Sequence, residues 1–360
     1  MKAAVLHAPG QAMTIEDVEV DKPQRREVLI RTSAAGLCHS DLHFMDGKYP
    51  HPVPVVLGHE SAGVVEAVGE DVTYVKPGDR VITCLSLFCG HCEFCLTGHM
   101  SLCQSPEVKI PPGKAKRLRW RGENLHQFLN LSSFAEQIVT HENAVVKVDR
   151  DIGMDLAALI GCGVVTGYGA VVHTAKVEPG SIVAVLGCGG IGLATVNAAQ
   201  IAGAGRIIAI DVDPFKLELA RQFGATDTLI GDANTAKQVM EMTKGGVHYS
   251  FECVGLKQTT EQSFSMLRQG GTATVVGMIP VGVKIELMGS DFLRERRIQG
   301  CMMGSNRFRL DMPRLVDFYL QGRLHLDQMV SGRLKLNQIN EGFDAMKRGG
   351  VARNVIVFDQ

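Results

Sequence analysis

Neither sign of charge is in excess in this chain: 37 lysines and arginines face 38 aspartates and glutamates, for a net charge of -1. A near-neutral field offers little attraction to nucleic acid or an anionic membrane, so neither is expected as a partner and a small molecule is. The N-terminal run MKAAVLHAPGQAM lacks the unbroken apolar core of a secretory leader, because His7, Pro9 and Gly10 interrupt it. That absence points to a reducing, cytoplasmic setting, where spaced cysteines serve as metal ligands or reactive groups rather than as crosslinks. Internal repeats and low-complexity segments are also missing. A charge-free stretch from Ser181 to Gly205 is long enough to cross a bilayer. Its glycines divide it into a short strand, a tight turn and a helix, so no membrane span is expected.

What is present suffices for two domains: 360 residues, 45% of them hydrophobic. Short β-like runs at Val28–Arg31, Val64–Val68 and Arg80–Thr83, with turn signals at Gly69, Pro77 and Gly78, make the first 150 residues a mainly β lobe. From Ile182 strands and helices alternate through IVAVLG, RIIAID, TLIG, YSFECVG and TATVVG, the rhythm of a doubly wound parallel α/β sheet. The tail carries an amphipathic helix with Leu336, Ile339, Phe343 and Met346 on one face, then a strand-like Asn354–Asp359. This tail is too small to fold alone. It is expected to return to the first lobe, so that the α/β unit is an insertion.

Gly187-Cys188-Gly189-Gly190-Ile191-Gly192 follows a strand and opens a helix, the context that gives a G-x-G-x-x-G match its meaning. Such a turn brings the backbone and a helix N-terminus against a pyrophosphate. Asp211 ends the next strand, 19 residues after Gly192. Its carboxylate suits the adenosine ribose hydroxyls and repels a 2′-phosphate, which favours NAD over NADP. The competing reading makes Asp211 a helix cap ahead of Pro214. Lys216 either reaches the same ribose or is a solvated surface lysine.

Cys89, Cys92, Cys95 and Cys103 lie within fifteen residues. Four thiolates so spaced form a closed structural zinc cage. An iron–sulfur cluster is the rival, but seven residues separate the last pair and Gln104, not proline, follows. Cys38, His59 and Cys162 are dispersed, and spacing alone does not group them.

With these motifs in place, the sequence resembles the zinc-containing medium-chain alcohol dehydrogenases nearly end to end. GLCHSDLH at 36–43, GHESAGVVEAVG at 58–69, the four-cysteine lobe, GCGVVTGYGA at 161–170, GCGGIG at 187–192 and EGFDAMKRGGVAR at 341–353 follow the family's order. The resemblance implies a GroES-like catalytic domain at 1–163 and 302–360, with an NAD-binding Rossmann domain at 164–301 inserted. It implies two Zn²⁺ per chain, with Cys38, His59 and Cys162 as catalytic ligands and a fourth position open. The implied reaction is reversible oxidation of an alcohol to an aldehyde or ketone, with hydride leaving a zinc-bound alkoxide for NAD. Ser40 and His43 would relay the proton, Asp41 would orient His59, and Glu60 would assist exchange at the metal. His39 and Arg353 would hold the pyrophosphate, and Thr166 would lie near the nicotinamide.

Residues 121–137 most resemble the liver-type and glutathione-dependent formaldehyde dehydrogenase branches, typically dimers; a tetramer is the other expectation. The glutathione branch carries an aspartate where this chain has Tyr49 and an arginine where it has Glu107, so that activity is kept as an alternative. A zinc-free quinone reductase would lack Cys38 and Cys162. A polyol dehydrogenase would commonly place glutamate at the third ligand. A non-catalytic NAD- or zinc-binding protein is the alternative of another class. The basic residues between Lys114 and Arg121 with Trp120 read as a solvated loop near the pocket mouth. Cys84, Cys188, Cys253 and Cys301 read as reduced core residues, and His51 as exposed.

Overall fold

The computed structural model describes residues 1–114 and 117–359. Lys116 of the basic segment lies outside the described residues.

The α/β unit is a six-stranded, wholly parallel sheet. Its strands run in the order Asp227–Ile230, Arg206–Asp211, Ile182–Leu186, Val247–Glu252, Leu267–Val275, Arg297–Gly300. In chain order this is 3-2-1-4-5-6, so the direction of winding reverses between Ile182–Leu186 and Val247–Glu252. A crevice opens there at the carboxyl ends of the strands, the usual ligand position in such sheets. Val183, Ala184, Val185 and Leu186 are all buried, as a strand covered by helices on both faces requires. The sixth strand, Arg297–Gly300, is not among those read from the sequence. It is four residues long and half polar.

The first lobe is built on Glu27–Gly36, which pairs antiparallel with Ser61–Val68, Gln137–His141 and Arg353–Val357. The C-terminal strand Arg353–Val357 therefore completes a sheet begun more than 300 residues earlier, and Val330–Leu334 pairs beside it. The preceding helix, Ile339–Arg348, buries Ile339, Phe343 and Met346 against the first lobe at the spacing of one helical face.

Between the lobes runs one helical segment, Met154–Ala175, whose turns widen at Ile160–Val164 and Ala170–Ala175. It is apolar and long enough to cross a bilayer, but 89% of that apolar stretch is buried within the molecule. Leu156, Ile160 and Val164 join Val183 and Val185 of the parallel sheet and Met312 of the helix Phe308–Leu320 in one core. The charge-free stretch Ser181–Gly205 holds the strand Ile182–Leu186 and the helix Gly190–Ile201, as its glycines suggest.

Candidate active site

Three elements bring the dispersed ligands together. Cys38 follows Glu27–Gly36 and caps the helix His39–Met45; His59 directly precedes Ser61–Val68; Cys162 lies in the widened turn Ile160–Val164. Local widening of this kind is frequent at functional sites, because it re-aims a side chain out of the regular helical row. All three side chains are buried, and their ligand atoms lie within 4.8 Å of one another. Cys162 Sγ is 3.3 Å from His59 Nε2. His59 Nδ1 faces Asp41 Oδ1 at 3.0 Å, while Gly58 N–H and Cys38 N–H donate to the same carboxylate. That partner leaves Nε2 free for a metal.

Burial alone would depress His59, but Asp41 and Cys38 together outweigh it and hold the imidazole well above its ordinary value. Cys38 lies well below the usual thiol range, hydrogen-bonded by Cys162 and facing Arg353 and His59, so a thiolate is favoured there. Glu60, fully buried beside His59, is pushed up to about 7 by burial, against the opposing pull of Arg353 3.4 Å away. Glu60 Oε2 accepts the Gly163 N–H, and Oε1 has no hydrogen-bond partner among the described residues.

Cys89, Cys92, Cys95 and Cys103 form the second cluster. Their sulfurs are separated by 3.5 Å (Cys92–Cys95), 3.8 Å (Cys92–Cys103) and 3.9 Å (Cys89–Cys95). A tetrahedron of sulfurs at the usual Zn–S bond length has edges of about 3.8 Å, so the four thiols fit one zinc ion.

At the parallel sheet, Gly187 has φ +89°, and a Cβ on Gly192 would stand 1.7 Å from Gly187 O. The turn therefore excludes any side chain at its third glycine. Asp211 accepts from Cys188 N at 2.7 Å and from Asp213 N at 3.0 Å. Asp213, not Asp211, caps the helix Pro214–Gln222, which removes the capping reading of Asp211. Arg353 is 3% exposed and donates to Leu37 O at 2.9 Å. Among the described residues its Nε has no hydrogen-bond acceptor and its Nη2 has only the Glu60 carboxylate at 3.4 Å, and a Cβ on Gly190 would stand 2.7 Å from that Nε. The unpartnered Nε, beside the first residue of the dinucleotide helix, and the positive charge of a guanidinium whose Nη2 only approaches Glu60 at 3.4 Å fit an anionic pyrophosphate.

Residues 24–150 match the family described as alcohol dehydrogenase GroES-like domain, and residues 190–321 match zinc-binding dehydrogenase. The chain is 40% identical to the alcohol dehydrogenase class-3 of Myxine glutinosa, over 99% of this chain and 97% of that one. It belongs to the zinc-binding alcohol dehydrogenases. S-(hydroxymethyl)glutathione dehydrogenase of Haemophilus influenzae is 39% identical over 99% of this chain and 96% of that one. Among solved structures, benzyl alcohol dehydrogenase from Acinetobacter calcoaceticus superposes with a TM-score of 0.93 at 33% identity, covering 99% of both chains. Members of this family use NAD(P), and the two cysteine clusters are its catalytic and structural zinc sites.

Around the catalytic site of this dehydrogenase, Ser40 Oγ lies 3.6 Å from Cys38 Sγ, and His43 is half-buried, its Nδ1 without a partner among the described residues. His39 is exposed, Lys216 and Ile191 are half-buried, and Gly189 stands open on its Cβ side. Thr166 is buried against Met303 Sδ at 3.5 Å, a contact with no sequence signal because Met303 lies in an irregular turn. Two expectations are corrected. His51 is half-buried rather than exposed, its ring edge-on to Phe44 and Phe128. The basic segment is not a free loop: Leu118–Trp120 pairs with Glu123–Gln127, Arg117 is 12% exposed in an ion pair with Asp21, and Trp120 Nε1 donates to Glu16. Cys84 and Cys188 are buried, while Cys253 and Cys301 are half-buried against the central core.

Proposed function

We propose that this chain interconverts an alcohol and its aldehyde or ketone, using NAD, at the Cys38–His59–Cys162 site. The observation that carries the reading is Arg353, one buried side chain that touches Glu60 beside the metal ligands, the Leu37 carbonyl, and the space above Gly190. Metal site and dinucleotide turn are thus walls of one cleft. Zinc held there supplies a Lewis acid that makes a coordinated hydroxyl acidic, and NAD supplies the hydride acceptor.

The chain's own groups do the rest. Ser40, beside Cys38, would take the hydroxyl proton while giving up its own, which would pass by way of the nicotinamide ribose hydroxyl to His43, three residues on along the same helix, and so toward solvent. Burial holds His43 below its ordinary pKa, so its ring is neutral and able to accept near pH 7. Asp41 fixes the His59 ring, Glu60 assists ligand exchange, and His39 and Arg353 bind pyrophosphate over Gly187, Gly189, Gly190, Ile191 and Gly192. Asp211, with Lys216 beside it, takes the ribose, and Thr166 borders the nicotinamide. Residues 1–163 and 302–360 form the catalytic domain, with 164–301 inserted.

A second reading, oxidation of S-(hydroxymethyl)glutathione, has support from the named relatives. Against it stand Tyr49 and Glu107; the latter is an exposed carboxylate 3.2 Å from His91. We also infer a homodimer in the cytoplasm. Its support is the exposed apolar set Val281, Met288, Phe292 and Leu293 preceding the open edge strand Arg297–Gly300. The test is metal content with NADH formation across primary, secondary and aromatic alcohols and S-(hydroxymethyl)glutathione, for wild type and Cys38→Ser. Two zinc ions per chain and turnover are expected, with one zinc and no turnover in the variant. A wild-type chain that binds zinc and NAD but oxidises none of these overturns the reading.

A further inference from the structure

The lobes flanking the cleft meet mainly through apolar packing around the helix Met154–Ala175. Asn197 of the inserted unit bonds the Arg323 carbonyl and the His325 amide, and Thr174 meets Ser305; between residues 1–150 or 330–359 and residues 181–300, among the described residues, one side-chain hydrogen bond is made, the Tyr49 hydroxyl donating to the Ile279 carbonyl. No backbone hydrogen bond joins these two sets among the described residues. The position of each partner gives this single link its meaning. Tyr49 follows the helix His39–Met45, and its ring lies 6.1 Å from His43 and 5.7 Å from Phe44. Ile279 sits in the loop leaving the carboxyl end of Leu267–Val275, on the side of the sheet where its crevice opens. That loop adjoins the dinucleotide turn: a Cβ on Gly255 would stand 2.5 Å from Met278 O, and one on Gly187 would stand 2.6 Å from Val254 Cγ2.

We propose that the Tyr49–Ile279 hydrogen bond is a latch across the mouth of the cleft, which opens for coenzyme to leave and makes Tyr49 a positioning residue for coenzyme retention. The inference rests on the coenzyme reading above. Neither partner belongs to the buried apolar clusters, so parting them exposes little apolar surface and leaves the rest of each lobe intact. Burial pushes the Tyr49 phenol above its ordinary value, so the group remains a donor through neutral and mildly alkaline pH. Opening of this kind, rather than chemistry, often limits turnover in enzymes that close over their ligands.

Tyr49→Phe keeps the ring and removes only the donor. A net hydrogen bond of ordinary strength corresponds to a factor of about 2 to 10, so NADH dissociation, followed by stopped-flow fluorescence, is expected to accelerate by about that factor. Amide hydrogen exchange over residues 46–50 and 276–280 of the coenzyme-free protein is expected to quicken in the same variant, without a matching change across the core strands. A role confined to packing would move the melting temperature and leave both rates alone. An off-rate within the error of wild type overturns the latch. Should the wild-type chain bind no NADH, the coenzyme reading fails separately, and exchange in the free protein then decides whether the bond closes the cleft: unchanged exchange overturns it.

Discussion

Replacing Asp41 by asparagine tests the geometry that aims His59 at the catalytic metal. One Asp41 oxygen faces His59 Nδ1 at 3.0 Å and Gly58 N at 3.1 Å, and the other accepts from Cys38 N at 3.3 Å. An asparagine carbonyl can serve the first pair, but its amide then points a donor at the Cys38 N–H. Flipped, the amide serves Cys38 and opposes two donors. The better choice loses one buried hydrogen bond and sets donor against donor, a cost of about 1–3 kcal/mol. The loss falls on the residues that hold the ring and the Cys38 backbone in place, so zinc affinity at this site should drop by about 10- to 100-fold. Titration with a chelator and a zinc-sensitive dye reads this directly, with the four-cysteine site of the same chain as internal standard. One zinc should leave Asp41→Asn at a chelator concentration at which wild type keeps both. If the two proteins release their zinc together, the orienting role assigned to Asp41 is wrong.

Gly192→Ala should abolish saturable NADH binding in a fluorescence titration, because its Cβ has no space 1.7 Å from Gly187 O and the turn must open; tight binding by the variant would refute the assignment of this turn. A pH effect is expected at Glu142, which is 1% exposed and accepts from Arg26 at 2.8 Å and from Thr73 N and Tyr74 N. Burial opposes ionisation there, but Arg26 and the two amides prevail and hold the carboxyl below its ordinary value. The ionised group therefore stabilises the fold above the unfolded pKa of about 4.3, and that contribution is lost as pH falls through the lower folded value. Glu142→Gln should be less stable than wild type by about 1–3 kcal/mol at pH 7 in urea unfolding, with the gap narrowing as pH falls below about 4. A gap independent of pH would contradict the ionised pairing.

The parts of this enzyme that were legible in the sequence are those specified locally. IVAVLG followed by GCGGIG has a strand, a turn and a helix start in contiguous residues, and four cysteines within fifteen residues fit one ion whatever surrounds them. Cys38, His59 and Cys162 come from two strand ends and a helix, so only the folded chain or a resemblance groups them. The helix Met154–Ala175 escaped because GCGVVTGYG has the glycine content of a loop. Its glycines answer to packing: a Cβ on Gly167 would stand 2.7 Å from Ala194 Cβ, and one on Gly169 would stand 2.1 Å from Gly304 O. The edge strand Arg297–Gly300 has too few apolar residues to announce itself, and His51 was misjudged because aromatic partners cover it from elsewhere in the chain.

The strand Arg353–Val357 has a consequence for how the molecule is made. During synthesis the inserted parallel sheet emerges whole and has every strand it needs by Gly300. The first lobe, although translated earlier, waits with Ala34–Gly36 unpaired on the flank that Gln137–His141 covers only over Glu27–Arg31, until Arg353–Val357 has been made. The same strand delivers Arg353, so the cleft gains its guanidinium only then. A chain that still lacks Arg353–Val357 is therefore inactive, and loss of that strand would leave Val330–Leu334 and Ala34–Gly36 without their partner, an exposed sheet edge prone to association.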